Sequence, residues 1–347
     1  MEEKLHVSEV ELRNFRCFEH IHCAFPQQFT LCEGANGTGK TALLEALAYA
    51  CYLRSFRTHA PREIIRWENE GFFIKLKGTN NLDDTWDLSV AVTGNRRIIK
   101  CDGVSITSFH DLFATYRSIS IIGDDLKLVA GFPDERRLFL DQAITLANQG
   151  YSAQLRSLRT IVRQRNALLA QPSLDNAAYS IWTERLELIS KEVRGIRKTY
   201  LTSLESTLKK LSEKLAGPLS RQSLTLSYQE QPQTTLLKDR ELRLHRSLYG
   251  AHLDDVVILW QGRPARLYAS RGQQKLIVLL LKIAQACLLT RLPIILIDDF
   301  ATDFDDRILN SLLNLIFQLK MQAIFTAPSG STLRHSLKKH PFSSITL

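Results

Sequence analysis

Eight residues, Gly34-Ala35-Asn36-Gly37-Thr38-Gly39-Lys40-Thr41, constrain this chain more than any other stretch. They fit the Gly-x-x-x-x-Gly-Lys-Thr phosphate loop, in which glycines allow a tight turn and backbone N–H groups surround phosphate oxygens. In that pattern Lys40 reaches the β- and γ-phosphates and Thr41 sets its hydroxyl on Mg²⁺. The pattern needs a strand before it and a helix after it. Phe29-Thr30-Leu31-Cys32 reads as the strand, and Thr41 to Leu53, rich in Ala and Leu, as the helix. A chance glycine-rich turn would not come with both.

Two later motifs complete a set. Pro293-Ile294-Ile295-Leu296-Ile297-Asp298-Asp299 is an apolar run ending in two carboxylates, as a buried strand would deliver them. Asp298 is the candidate for the Mg²⁺ shell, and Asp299 for orienting or deprotonating the attacking water. Ser270-Arg271-Gly272-Gln273-Gln274-Lys275 opens a helix with small residues, a geometry suited to an anion. Alone, that segment reads equally well as an ordinary N-cap. In this order the three motifs imply an ATPase of the ABC type. Lys40 and Asp299 are its candidate catalytic residues, and Thr41 and Asp298 its metal-associated pair. Gly34, Ala35, Asn36, Gly37, Thr38, Gly39, Lys40 and Thr41, with Ser270, Gly272 and Gln273, would bind the nucleotide. Asp299 is one methylene shorter than Glu, so slow hydrolysis is expected.

The chain has 347 residues, 44% of them apolar and 23% charged, which predicts two globular domains or one with an insertion. Met1 to His6 lacks an apolar signal core, and no apolar run nears the ~18 residues of a membrane span. A cytoplasmic protein with no membrane partner is the expectation. Cysteines 17, 23, 32, 51, 101 and 287 form no Cys-x-x-Cys pair and read as reduced packing thiols. Net charge is +9, and Tyr151 to Arg221 holds thirteen Lys/Arg against six Asp/Glu, an excess of +7. That excess favours a polyanion, nucleic acid before membrane. Arg156, Arg159, Arg163, Arg165, Arg194, Arg197 and Lys198 are its candidate carriers. Helix-face pairing with Glu184, Glu187 and Glu192 is the competing use.

Alternating patterns around Leu5 to Leu12, Ile21 to Phe25, Phe72 to Leu76 and Leu88 to Val92 predict antiparallel strands. Asn80-Asn81, Asp83-Asp84 and Gly94-Asn95 mark turns. After Gly150 the spacing becomes helical: Leu155 to Leu169, ended by Pro172, then Leu186 to Leu215, stopping at Gly217-Pro218. Gly195 weakens the middle of the second helix, so a packed bundle is favoured over a coiled-coil arm. The α/β pattern resumes with helices at Gly272–Leu289 and Leu309–Leu319 and strands at Ile294–Ile297 and Ala323–Phe325. The fold class predicted is α/β: an ABC-type head of mixed and parallel sheet with antiparallel N-terminal strands, interrupted by an all-helical insertion. Residues 1–145 and 226–347 would form the head, and 146–225 the insertion.

These residues resemble the bacterial RecF family of DNA replication and repair ATPases over nearly the whole chain. Glu11 to Phe18, Gly34 to Thr41 with Leu44-Glu45-Ala46, and Ser55-Phe56-Arg57-Thr58 are similar to family segments. So are Gly123 to Val129, Arg136 to Asp141, Gln164 to Leu168, and Thr302-Asp303-Phe304-Asp305. Gly250-Ala251-His252-Leu253-Asp254-Asp255 resembles a Gly-Pro-His-Arg-Asp-Asp block, with Ala251 and Leu253 departing from it. Gly123-Asp124 departs from a common Pro-Glu pair. Asp299 agrees with the family where most ABC ATPases have Glu, and Thr326 stands where transporter ATPases have His.

The resemblance implies a weak, DNA-stimulated ATPase acting in recombinational repair, replication-fork maintenance and the SOS response. It implies binding of duplex DNA and of single-strand/duplex junctions at gaps. Two copies would dimerise head to tail on ATP, each site pairing Lys40 of one with Ser270 of the other. RecR and RecO would be partners, and RecA would be loaded downstream. A DNA-bridging protein of the structural-maintenance type is the first alternative, but an insertion of about 70 residues is short for a long arm. A transporter ATPase is the second, opposed by the insertion, the Asp-Asp pair and the missing switch His. A defence ATPase carrying a nuclease has no spare domain to hold one.

Overall fold

The computed structural model describes the chain except for residues 1, 2, 5, 81–83, 107–111, 113, 114, 149, 216–222, 232–236 and 300–303, with backbone alone at 3 and 4. The turn at Asn81 and Asp83, the stop at Gly217-Pro218 and the Thr302-Asp303 segment lie outside the described residues. The chain divides into two compact units. One is Met1–Asp125 with Leu211–Ser220 and Leu289–Leu347; the other is Leu126–Lys210 with Arg221–Leu288.

The first unit contains a five-stranded sheet in the order Phe342–Thr346, Phe29–Gly34, Ala323–Pro328, Ile294–Ile297, Ser118–Ile121. Every pairing in it is parallel. Its middle strands are buried almost end to end, as strands covered on both faces must be, and Ile294–Ile297 is apolar throughout. Beside it in sequence stands an antiparallel sheet ordered Phe18–Ala24, His6–Phe15, Gly71–Thr79, Thr85–Thr93, Arg96–Cys101, Val104–Ser105. One register slip, between Val7 and Glu9, lets Val7 and Val10 both reach the core although they are three apart. Phe72 joins this sheet to the helix Lys40–Tyr52, meeting Phe15 and Tyr49 edge-on with both centroid distances 5.3 Å. The α/β head with antiparallel N-terminal strands is thus present. The short strands Ser118–Ile121 and Phe342–Thr346 carry too little apolar pattern to be found by periodicity.

In the second unit the helix Tyr151–Leu169 is followed by Asn176–Lys214, a helix of 39 residues that runs on into the first unit's share of the chain. Gly195 does not break it, and a Cβ there would meet nothing within 4 Å. The glycine therefore costs only its propensity, about 1 kcal/mol. Leu186, Val193, Leu204 and Leu208 are buried, as their spacing predicts. A small antiparallel sheet, Leu224–Gln229, Asp255–Trp260 and Arg263–Pro264, completes the unit.

Part of the basic excess expected to face a polyanion is internal instead. Arg165 is fully buried and forks onto Glu241 at 2.9 and 2.7 Å. Arg197, also buried, forks onto Asp141 at 2.9 Å on each branch. Arg194 forks onto Asp254 at 2.8 Å twice, whereas Lys198 stays exposed and pairs with Glu230 at the surface. The partners are therefore not the helix-face glutamates: they come from distant segments, so sequence spacing could not reveal them. Asp254 also accepts from the Tyr228 hydroxyl and the Gln231 N–H. Burial raises its pKa, but these donors more than offset that and hold it below the usual carboxylate range. Asp255 receives Arg136 at 2.8 and 2.9 Å. The Gly250–Asp255 block is thus a junction of ion pairs, and the Ala251 carbonyl takes a hydrogen bond from Arg197. A backbone acceptor does not depend on whether Ala or Pro stands there.

Candidate nucleotide site

Parallel strands deliver their following loops at one edge of a sheet, where ligands of open α/β folds bind. Here the strand Ala323–Pro328 lies between Phe29–Gly34 and Ile294–Ile297. Phe325 pairs with Ile297, and the next residue, Thr326, pairs with Cys32. The register thereby sets Thr326 beside Asp298, between the phosphate loop and the acidic strand end.

The loop itself is fixed by its glycines. Gly39, with φ of 103°, caps the helix Lys40–Tyr52, and a Cβ there would come within 2.7 Å of Cys17 Sγ and 2.5 Å of the Phe18 ring. A Cβ on Gly34 would strike the Leu347 carbonyl at 2.4 Å. Gly37 has φ of 88°. Only glycine meets these demands without strain. No side chain caps the helix, and no acidic residue stands in its first turn. Its leading N–H groups therefore form a positive end suited to an anion. Lys40 Nζ donates to the carbonyls of Gly34 and Ala35 at 2.8 and 2.7 Å, which places the ammonium inside the loop. Thr38 Oγ1 closes the turn onto Ala35 at 3.0 Å.

Thr41 Oγ1 donates to Asp298 at 3.0 and 2.9 Å, and Thr326 Oγ1 donates to the same carboxylate at 2.6 Å. The Asp299 N–H donates to Thr326 Oγ1 at 2.9 Å. Asp299 has a left-handed φ of 50° and an exposed side chain. One hydroxyl therefore positions both carboxylate residues. Sequence reasoning noticed Thr326 only as a replacement for His; its place directly after an apolar strand was the available signal. Among the described residues no group of three or more His, Cys, Asp or Glu could hold a metal. A hydroxyl beside one carboxylate instead suits Mg²⁺, which keeps waters and takes remaining ligands from phosphates.

Behind the loop Glu45 is fully buried and binds Arg16 at 2.9 and 2.6 Å. It also accepts from Ser55 Oγ and lies 3.6 Å from Arg57. The network ties the loop's helix to the turn after Phe15 and to the Ser55–Thr58 segment. It explains why three separated sequence segments share one neighbourhood.

Ser270, Gly272 and Gln273 belong to the second unit and open the helix Arg271–Cys287. Ser270 Oγ accepts the Gln273 N–H at 3.3 Å, and Gln273 Oε1 accepts the Ser270 N–H at 2.9 Å. This reciprocal capping box satisfies two helix N–H groups and leaves the exposed Ser270 hydroxyl its own proton to donate. All six cysteines are free thiols, and burial pushes Cys23 up to about 11.

The family described as RecF/RecN/SMC N terminal domain matches residues 6–341. The DNA replication and repair protein RecF of Colwellia psychrerythraea is 31% identical, covering 94% of this chain and 89% of that protein. That of Geotalea daltonii is 28% identical over 93% of each. Among solved structures, the recombination mediator protein RecF with ATP aligns with a TM-score of 0.79 at 23% identity, covering 94% of this chain and 93% of that one. The Smc head domain of Pyrococcus furiosus aligns at 0.56 with 15% identity, covering 96% and 92%. Both structural likenesses bear on the fold. No helix among the described residues is long and apolar enough to cross a membrane.

Proposed function

The chain belongs to the RecF family of DNA replication and repair proteins, within the RecF/RecN/SMC N terminal domain family, and we propose that it is an ATP-gated DNA-binding protein. The observation that carries this reading is the convergence of Lys40, Thr41, Asp298 and Thr326 at one strand edge. Gly34 to Thr41 hold the phosphates, with Lys40 pairing its charge with the β/γ oxygens. Thr41 and Asp298 hold Mg²⁺, which when bound neutralises charge on the phosphates. Asp299 orients or deprotonates a water from its exposed turn. Its short side chain makes hydrolysis slow, so the main output is a conformational state.

Ser270, with Gly272 and Gln273, serves the nucleotide held by a second copy, so that ATP is interface material and hydrolysis releases the dimer. By function the head then comprises residues 1–145 and 226–347 with the helical 146–225 inserted, a division that differs from the two compact units, where 126–145 and 226–288 go with the helices. Duplex DNA and single-strand/duplex junctions are the substrates, stimulating turnover. RecO and RecR act with the protein, RecA is loaded downstream, and a chromosomal partner places it in the cytoplasm. Titration of the Lys40→Ala protein with a fluorescent ATP analogue tests the base of this reading. Loss of binding in a correctly folded variant is expected, and unchanged affinity would refute it.

A further inference from the structure

The second unit contains a recess of about 400 Å³ lined by Arg137, Arg159, Arg163, Arg197, Asn166 and His252, with Asp141 its one carboxylate. Asp141 is already committed, receiving both branches of Arg197 and the Tyr151 hydroxyl at 2.6 Å. Arg159 and Arg163 are different. They are exposed, stand four apart on the helix Tyr151–Leu169, and have no carboxylate partner among the described residues. Like charges at that spacing oppose helix formation unless something neutralises them. Asn166 Oδ1 already accepts from the Ser247 N–H and hydroxyl at 2.8 and 2.9 Å, so what it has left to offer is a donor.

We propose that this recess binds a phosphate-type oxyanion through Arg159 and Arg163, independently of the phosphate loop. Guanidinium forks match phosphate oxygens in geometry as well as charge, and two of them a helical turn apart can grip one group from one side. The chemistry is shared by free phosphate and by the sugar-phosphate backbone of nucleic acid, and the inference stands whether or not the nucleotide reading does.

The test compares wild type, Lys40→Ala and the double variant Arg159→Gln/Arg163→Gln, with fold checked by melting temperature. Inorganic phosphate is titrated by calorimetry, a single-stranded oligonucleotide by fluorescence anisotropy at matched ionic strength, and a fluorescent ATP analogue as the control. The double variant should weaken phosphate or oligonucleotide binding about tenfold or more, with ATP affinity unchanged. Lys40→Ala should retain what the double variant loses. A loss in the phosphate arm assigns free phosphate, and a loss confined to the oligonucleotide arm assigns the backbone. Unchanged binding of both in the double variant overturns the proposal. So does phosphate binding lost in Lys40→Ala with oligonucleotide binding equal in all three proteins.

Discussion

Thr41 Oγ1 donates to both carboxylate oxygens of Asp298, at 3.0 and 2.9 Å, across a sequence separation of 257. The last residue of the phosphate loop and the acidic end of a distant strand are thus joined directly. Thr326 supplies the third side of that arrangement.

Thr326 is almost wholly buried and serves two partners, Asp298 and the Asp299 N–H. Thr326→Val keeps the shape and removes the hydroxyl, leaving those groups a partner short. We expect a stability loss of about 1–3 kcal/mol by denaturant unfolding and a fall in ATP turnover. Thr326→Ser should restore most of both; equal loss in Ser and Val would make the methyl group, not the hydroxyl, the important part.

Arg165→Met leaves Glu241 buried without its cation, while Tyr179 and the Leu248 N–H remain as its donors. Removing one partner of a buried pair costs about 3–5 kcal/mol. Chemical denaturation of the variant measures it. A change close to zero would contradict the assignment of Arg165 as structural and return it to the surface charges.

How much of this was legible in sequence follows from what each element depends on. The phosphate loop, its helix, the acidic strand and the antiparallel strands follow local rules of spacing, and they stand where those rules put them. Arg165, Arg194 and Arg197 resemble surface charge in sequence, because their carboxylates come from residues 241, 254 and 141. Thr326 escaped for the same reason: its value comes from sheet order, which sets it between two strands distant in the chain. The helix expected through Gly195 is continuous, because the burial of Leu186, Val193 and Leu204 outweighs the glycine's weak propensity.

His252 makes the fold acid-sensitive. Burial, aided by Arg137, lowers its pKa from 6.5 to about 4. The unfolded chain takes up a proton as pH falls below 6.5, whereas the folded chain does not until about 4. Stability from this group is therefore present in full above 6.5 and lost progressively through that window. Urea midpoints measured across it should fall less steeply in His252→Gln than in the parent. Parallel slopes would show that His252 titrates normally.

The central claim is a nucleotide site shared between two copies, and mixing two inactive variants tests it most directly. Lys40→Ala lacks the phosphate-loop ammonium, and Ser270→Arg places a bulky cation where the partner's phosphate would sit. In a mixed dimer one site carries both lesions and the other carries neither. ATP hydrolysis, measured by phosphate release, should therefore reappear on mixing although each protein alone is inactive. A mixture that stays as inactive as either parent would contradict the shared site.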